Sequence, residues 1–184
     1  MNKLILSLLL LASASASAGV VDFDDLPGDE TAAIADGYHG FTWDNVGAIR
    51  ADAYPGSGYA AGVVSPGNAA FNRDGSTVSI AKAMGFTFAG AFFTSAWLDQ
   101  ELAFDGFRNG QLVYSTKTSY ALDTVTPLWI GLGWSGIDTL VIYNSSGTQW
   151  AMDDFTVPEP GSLALLASCL GGLAASRRRR KLPG

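Results

Sequence analysis

From residue 78 onward the chain alternates apolar and polar positions in short runs broken by turn residues. Val78-Ser79-Ile80 is followed by Met84, Phe86 and Phe88 interleaved with Gly85 and Thr87. A period of two sends successive side chains to opposite faces of a strand. Leu102 and Phe104 continue the pattern, and Asn109-Gly110 then separates Phe104 to Arg108 from Gln111 to Thr116. Asn-Gly accepts positive φ at both centres of a type I′ turn, so it predicts a hairpin. Leu128, Ile130, Leu132 and Trp134 alternate with smaller residues, and Ile137 to Tyr143 is rich in β-branched and apolar residues. The Asn144-Ser145-Ser146-Gly147 turn leads into a last strand over Thr148 to Val157. Asp44 to Asn72, dense in Gly, Ala, Pro and Ser, reads as long loops with one or two short strands. A 3.6-residue period is missing from the centre, and Thr31 to Ala35 offers one helical turn at most. The expectation is an all-β fold, an antiparallel jelly-roll-like β-sandwich of about eight to ten strands over residues 19–157.

The two ends follow different rules. Residues 1–18 have the layout of a secretory signal peptide: Lys3, an apolar core over Leu4 to Ala12, then alternating Ala and Ser. Ala16 and Ala18 are the small residues expected at the signal-peptidase site, with cleavage before Gly19. The apolar core would reach only about 14 Å as a helix, half of a hydrocarbon layer, so cleavage is favoured over anchoring. At the other end, Val157-Pro158-Glu159-Pro160 precedes Gly161, an apolar stretch from Leu163 to Ala175, and the cluster Arg177, Arg178, Arg179, Arg180 and Lys181. Two prolines so close predict an extended, accessible joint after the domain. The apolar stretch would span about 20 Å as a transmembrane helix, enough for a temporary crossing, with the basic cluster held on the cytoplasmic side.

Motif, short apolar helix and terminal arginine cluster together resemble the PEP-CTERM sorting signal of Gram-negative bacteria, over residues 158–184. The resemblance implies that Pro158-Glu159-Pro160 is read by a membrane-embedded exosortase that cuts near it. It also implies an exported protein, held transiently in the inner membrane facing the periplasm and then passed to the outer surface or extracellular matrix. Such proteins are commonly associated with exopolysaccharide or biofilm. Signal peptidase and exosortase are then its partners during export. The only cysteine, Cys169, lies in the apolar tail, so no intramolecular disulfide can form.

Charge separates the domain from its tail. The whole chain carries −6, but residues 19–157 hold sixteen Asp and Glu against five Lys and Arg, a net −11. That excludes nucleic acid as a partner, because tracking phosphates requires a basic surface. Asp22, Asp24 and Asp25 near the start and Asp153 and Asp154 near the end would converge if the first and last strands are neighbours. Carboxylates and loop carbonyls suit a structural Ca²⁺, and the pair of clusters resembles calcium-stabilised carbohydrate-binding modules. Solvated strand ends that discourage edge aggregation account for the same acids. Aromatic residues in polar loops suit the C–H faces of sugars, which makes Trp43, Tyr54 and Tyr59, with Asp44, Asn45 and Asp52, candidates for exopolysaccharide binding. Trp43 within Phe41-Thr42-Trp43 also fits a core position.

Catalytic signals are sparse. His39 is the single histidine, and no nucleophile elbow or phosphate loop occurs. The chain therefore reads as non-enzymatic. The alternative is a glycoside hydrolase or lyase with a carboxylate pair drawn from Asp99, Glu101 and Asp105, although acids at i and i+2 also make an ordinary solvated strand face. The calcium expectation has a direct check. Calorimetry on the purified protein should register Ca²⁺ binding and EDTA should lower its Tm; no heat of binding and an unchanged Tm would overturn it.

Overall fold

The Asn109-Gly110 pair does what its chemistry requires: φ is 50° at Asn109 and 73° at Gly110, and the flanking segments form an antiparallel hairpin. The computed structural model describes residues 18–27 and 31–158. Its elements are β1 (Ala18–Val21), β2 (Thr31–Ala33), β3 (Thr42–Asp44), β4 (Val46–Arg50), the single-turn helix α1 (Gly58–Gly62), β5 (Asn68–Asn72), β6 (Val78–Ser95), β7 (Gln100–Arg108), β8 (Gln111–Ser115), β9 (Tyr120–Leu122), β10 (Leu128–Asn144) and β11 (Trp150–Pro158). All eleven strands join one antiparallel sheet in the order β2-β4-β5-β11-β6-β10-β7-β8, with β1 on β11, β3 on β6 and β9 on β7. The all-β, antiparallel expectation holds, and the strands form one continuous sheet. Thr31 to Ala33, where the sequence offered one helical turn at most, is a strand paired with β4. The loop-rich segment 44–72 contains two short strands, as expected, and the added helix α1.

One bend organises the sheet. Trp43 of β3 pairs with Ile80 of β6, while Phe155 of β11 lies between residues paired with Phe92 and Gly90 of the same strand. On a straight strand those positions would be about 33 Å apart. The Trp43 and Phe155 rings are nevertheless 5.6 Å apart. The strand therefore turns back on itself, and it does so around Gly85, whose φ of 76° disfavours any side chain. Met84, expected to alternate inward with Phe86 and Phe88, sits on this corner and is 90% exposed. Partner strand β10 yields in step, with three register shifts between Gly131 and Thr139.

A second irregularity keeps β11 facing the core. Trp150 and Met152 point into the main cluster; Asp154 then takes φ 52° in a bulge, and Phe155 and Val157 point into that same cluster. An unbroken period of two would have sent Phe155 and Val157 to the opposite face. The strand also takes in the first half of the joint expected at Val157-Pro158-Glu159-Pro160: Val157 and Pro158 are its last two described residues, paired with Gly19 and Ala18. Proline is tolerated there because a strand end on the edge of the sheet can forgo a ladder donor.

The bulge leaves Asp153 fully buried on the other face. Its Oδ2 accepts hydrogen bonds from the backbone N–H groups of Val64 (2.7 Å) and Ser65 (2.8 Å), and both oxygens accept from Ser65 Oγ at 3.0 Å. Oδ1 also accepts from the backbone of Asp154 at 2.7 Å. Burial pushes the Asp153 carboxyl up to about 6, against the pull of these donors. A folded-state value above the ordinary one stabilises the fold fully below about pH 4, and that contribution, up to about 3 kcal/mol, fades as pH rises through 6. Asp153→Asn should flatten the stability profile between pH 4 and 6 in thermal melts. At pH 7 it should also cost about 1–3 kcal/mol, because an amide nitrogen would face N–H donors. An unchanged pH slope would refute this role for Asp153.

Candidate functional site

The joined ends of the domain form the first candidate site. Val20 and Val21 are β-branched and alternate exposed and buried, which suits a short edge strand. Strand β1 pairs with β11 in the register Ala18 to Pro158, Gly19 to Val157, Val20 to Thr156 and Val21 to Phe155. A Cβ on Gly19 would lie 3.1 Å from the Val157 carbonyl oxygen, so the close approach favours glycine. Because the pair is antiparallel, the chain enters at Ala18 and leaves at Pro158 on the same end of the sheet. Among the described residues, β1 is the only strand paired with Val157 and Pro158. A cavity of about 410 Å³ opens beside this end, bordered by Gly19, His39, Lys82, Met84, Val157 and Pro158. Lys82 Nζ stands 4.6 Å from the Phe41 ring centroid on its wall.

The acidic clusters do meet, but each carboxylate is engaged differently. Asp22, Asp24 and Asp25 follow β1 in a turn in which Phe23 has φ 63°, so they do not alternate as residues of one strand would. Asp24 Oδ1 accepts from the backbone of Asn68 at 2.8 Å, and Asp22 Oδ1 from the backbone of Asp24 at 3.2 Å. Asp25 accepts from the Tyr38 hydroxyl at 2.5 Å and lies 3.8 Å from His39 Nε2. Burial, reinforced by Asp25, pushes the Tyr38 hydroxyl up. Partial burial and the charges of Asp22 and Asp24 push the Asp154 carboxyl up. Among the described residues no three His, Cys, Asp or Glu side chains are placed to share a metal ion.

The proposed sugar residues separate into two places. Trp43 is a core residue, edge-on to Phe23 and Phe155, and its Nε1 donates to the Tyr38 carbonyl at 3.0 Å. Asn45, at φ 61°, braces the next turn by donating to Asp74 and to the Thr77 carbonyl. Asp44 is exposed on β3, and Asp52 pairs with Arg50 at 2.9 Å. Tyr54 and Tyr59 belong to a second cluster, around α1. There they meet Trp97, which the alternation pattern passes over because it sits in the break between β6 and β7. Its ring is edge-on to Tyr54 (5.9 Å) and Tyr59 (5.5 Å), and its Nε1 donates to Gln149 Oε1 at 3.1 Å. Trp97 remains 48% exposed. A lone Trp followed by Leu98 and Asp99, where the apolar–polar alternation lapses, was the available signal.

Of the acids considered for catalysis, Asp99 and Glu101 line an open cleft of about 530 Å³, joined by Asp123 rather than by Asp105. Asp123 accepts backbone hydrogen bonds from Thr126 (2.6 Å) and Val125 (2.8 Å), which hold its carboxyl below the usual range. It is therefore suited to closing a turn rather than to donating a proton. Glu101 accepts from the Ser119 hydroxyl at 2.5 Å.

Ala16, Glu159, Pro160, the apolar stretch from Leu163 to Ala175 and the cluster from Arg177 to Lys181 lie outside the described residues. Among the described residues no helix is long and apolar enough to cross a membrane. No curated protein matches the chain. A family model for the PEP-CTERM protein-sorting motif does match, over residues 156–180. That match begins inside β11, at Thr156, and the chain accordingly carries the PEP-CTERM signal that marks a Gram-negative export substrate for processing by an exosortase.

Proposed function

We propose that the protein is a non-enzymatic component of the bacterial envelope or extracellular matrix that binds exopolysaccharide through the surface around Trp97. Signal peptidase removes residues 1–18, the tail holds the chain briefly in the inner membrane, and the processed domain reaches the outer surface or the matrix. The observation that carries the binding role is the state of Trp97. Its ring is half exposed, yet two tyrosine rings and Gln149 fix it in place. A flat apolar face already immobilised loses little entropy when it stacks on the C–H face of a sugar. Its tyrosine neighbours are inherited from the sequence-level candidates, whereas Trp43, Asp44 and Asn45 do not contribute to this surface.

A polysaccharide-cleaving role is the second reading, favoured by the shared cleft of Asp99, Glu101 and Asp123. Two assays on the producer's own matrix polymer separate the two. The wild-type protein should sediment with the polymer and release no reducing sugar, and Trp97→Ala should weaken sedimentation at least tenfold with its Tm little changed. Binding that survives Trp97→Ala removes this surface from the account, and release of reducing ends abolished by Glu101→Gln would replace binding with catalysis.

A further inference from the structure

We propose that the sugar surface continues from Trp97 along the outward face of β6 to Trp129, so that the protein grips an interior run of several rings of a neutral polysaccharide rather than a chain end. This deepens the reading of Trp97 as a sugar platform and rests on it. Strand register puts the two tryptophans on one side of the sheet. Thr94 pairs with Ala151 and Phe92 with Asp153, while Phe93 and Met152 between them point into the main core. Trp129 pairs with Phe92, and the next residue, Ile130, points inward. Trp129, Phe92, Thr94 and Ala151 therefore share the face turned away from that core. Helix α1 lies on the same face, since a Cβ on its Gly62 would stand 2.8 Å from Ala151 Cβ and 3.1 Å from Thr94 Oγ1. Trp97 packs on Tyr59 of that helix. From Phe92 to the end of β6 at Ser95 is about 10 Å of strand, and Trp97 stands beyond it. A single sugar ring is too short for that interval, and an extended oligosaccharide covers it.

Trp129 is built as a platform in its own right. It is 43% exposed, edge-on to Phe92 at 5.1 Å, and a Cβ on Gly131 would come 2.9 Å from its Nε1. Gly131 has no positive φ, so the indole, not the backbone, is what excludes a side chain there. Val64, tied to Asp153 beside Phe92 and 40% exposed, continues the apolar strip between the two ends. Charge selects the occupant. Exposed Asp99, Glu101 and Asp123 border the Trp97 end, where the Ser95 N–H donates to the Asp123 carbonyl. A polyanion, or a second copy of a domain carrying −11, is repelled from such a surface. An uncharged linear glycan meets it with C–H faces on the indoles and hydroxyls left in water. Once one tryptophan holds the chain, the other engages it at high effective concentration.

The test titrates the purified exported protein with oligosaccharides released from the producer's matrix polymer by partial acid hydrolysis and sized by gel filtration. Wild-type affinity should climb with length and level off once an oligosaccharide reaches both tryptophans. Trp129→Ala should lower affinity for the long oligosaccharides about tenfold, with little change for the shortest. Gly131→Ala, which keeps the indole but displaces it from its seat, should have the same selective effect. Trp97→Ala should weaken binding at every length. Undiminished affinity for long oligosaccharides in both Trp129→Ala and Gly131→Ala overturns the extension and leaves sugar binding at Trp97 standing, whereas a wild-type protein that binds no length overturns both. Oxidising the primary hydroxyls of the same oligosaccharides to carboxylates should weaken binding, most at low salt; equal or tighter binding would overturn the assignment of a neutral ligand. Sedimentation velocity without sugar should show a monomer, and self-association that Trp129→Ala removes would make this face an interface between copies instead.

Discussion

The contact of Phe155 with Trp43 is the interaction on which the rest of the architecture depends. Both side chains come from strands that pair with β6, but at positions that a straight strand would hold about 33 Å apart. Bringing the rings to 5.6 Å forces β6 and β10 to bend together and encloses the aromatic core between the two arms of one sheet. Phe155 also meets Phe41, Phe86 and Phe88. A fully buried Phe is worth about 1.5–3 kcal/mol of transfer free energy, and edge contacts between rings add to that. Bend and bulge are thus two halves of one solution. Gly85 lets β6 turn, and the positive φ of Asp154 restores the inward phase of β11 after the turn.

The same strand connects folding to export. Phe155 locks the middle of β11, and the residues beyond it run into the sorting signal without an intervening linker. Antiparallel pairing of β1 with β11 then places entry and exit of the domain side by side. The export route proposed above is compatible with this geometry, since the chain enters and leaves the domain on the same side. Had β1 paired in parallel, the chain would have entered and left the domain at opposite ends of the sheet.

Much of this was legible in the residues, and the failures share a cause. Asn109-Gly110 encodes its hairpin locally, because positive φ at two consecutive positions is a property of those two residues. The antiparallel all-β character, the short strands within 44–72 and the neighbouring first and last strands were equally readable. Met84 was misread because a period of two carries no mark of where a strand bends, and the bend is decided by Trp43 and Phe155, remote in sequence. Asp153 and Asp154 looked alike as adjacent acids. The bulge between them makes one a buried acceptor for Val64 and Ser65 and leaves the other near Asp22 and Asp24. Trp43 and Trp97 show the matching limit for aromatics: composition around a Trp does not say whether its ring faces the core, and here the apparent loop residue is buried and the residue between two strong strands is exposed.

Charge constrains what the exposed aromatic surface can meet. Residues 19–157 carry −11, a field that repels polyanions and gives neutral polymers no Coulombic attraction. Binding in such a field has to come from dispersion, from the release of water over flat apolar surface, and from hydrogen bonds. Those contributions fall off within a contact distance, so their yield depends on how little freedom the platform has left to lose. Trp97 meets that requirement because Gln149 and two tyrosine rings have already restricted it during folding. The exposed Trp129, edge-on to Phe92 at 5.1 Å, is restricted in another way: glycines at 90 and 131 leave room for its indole, and a Cβ at either would come within 3 Å of it. Both tryptophans are held before any ligand arrives, which is the condition under which an acidic domain can bind an uncharged glycan without electrostatic help.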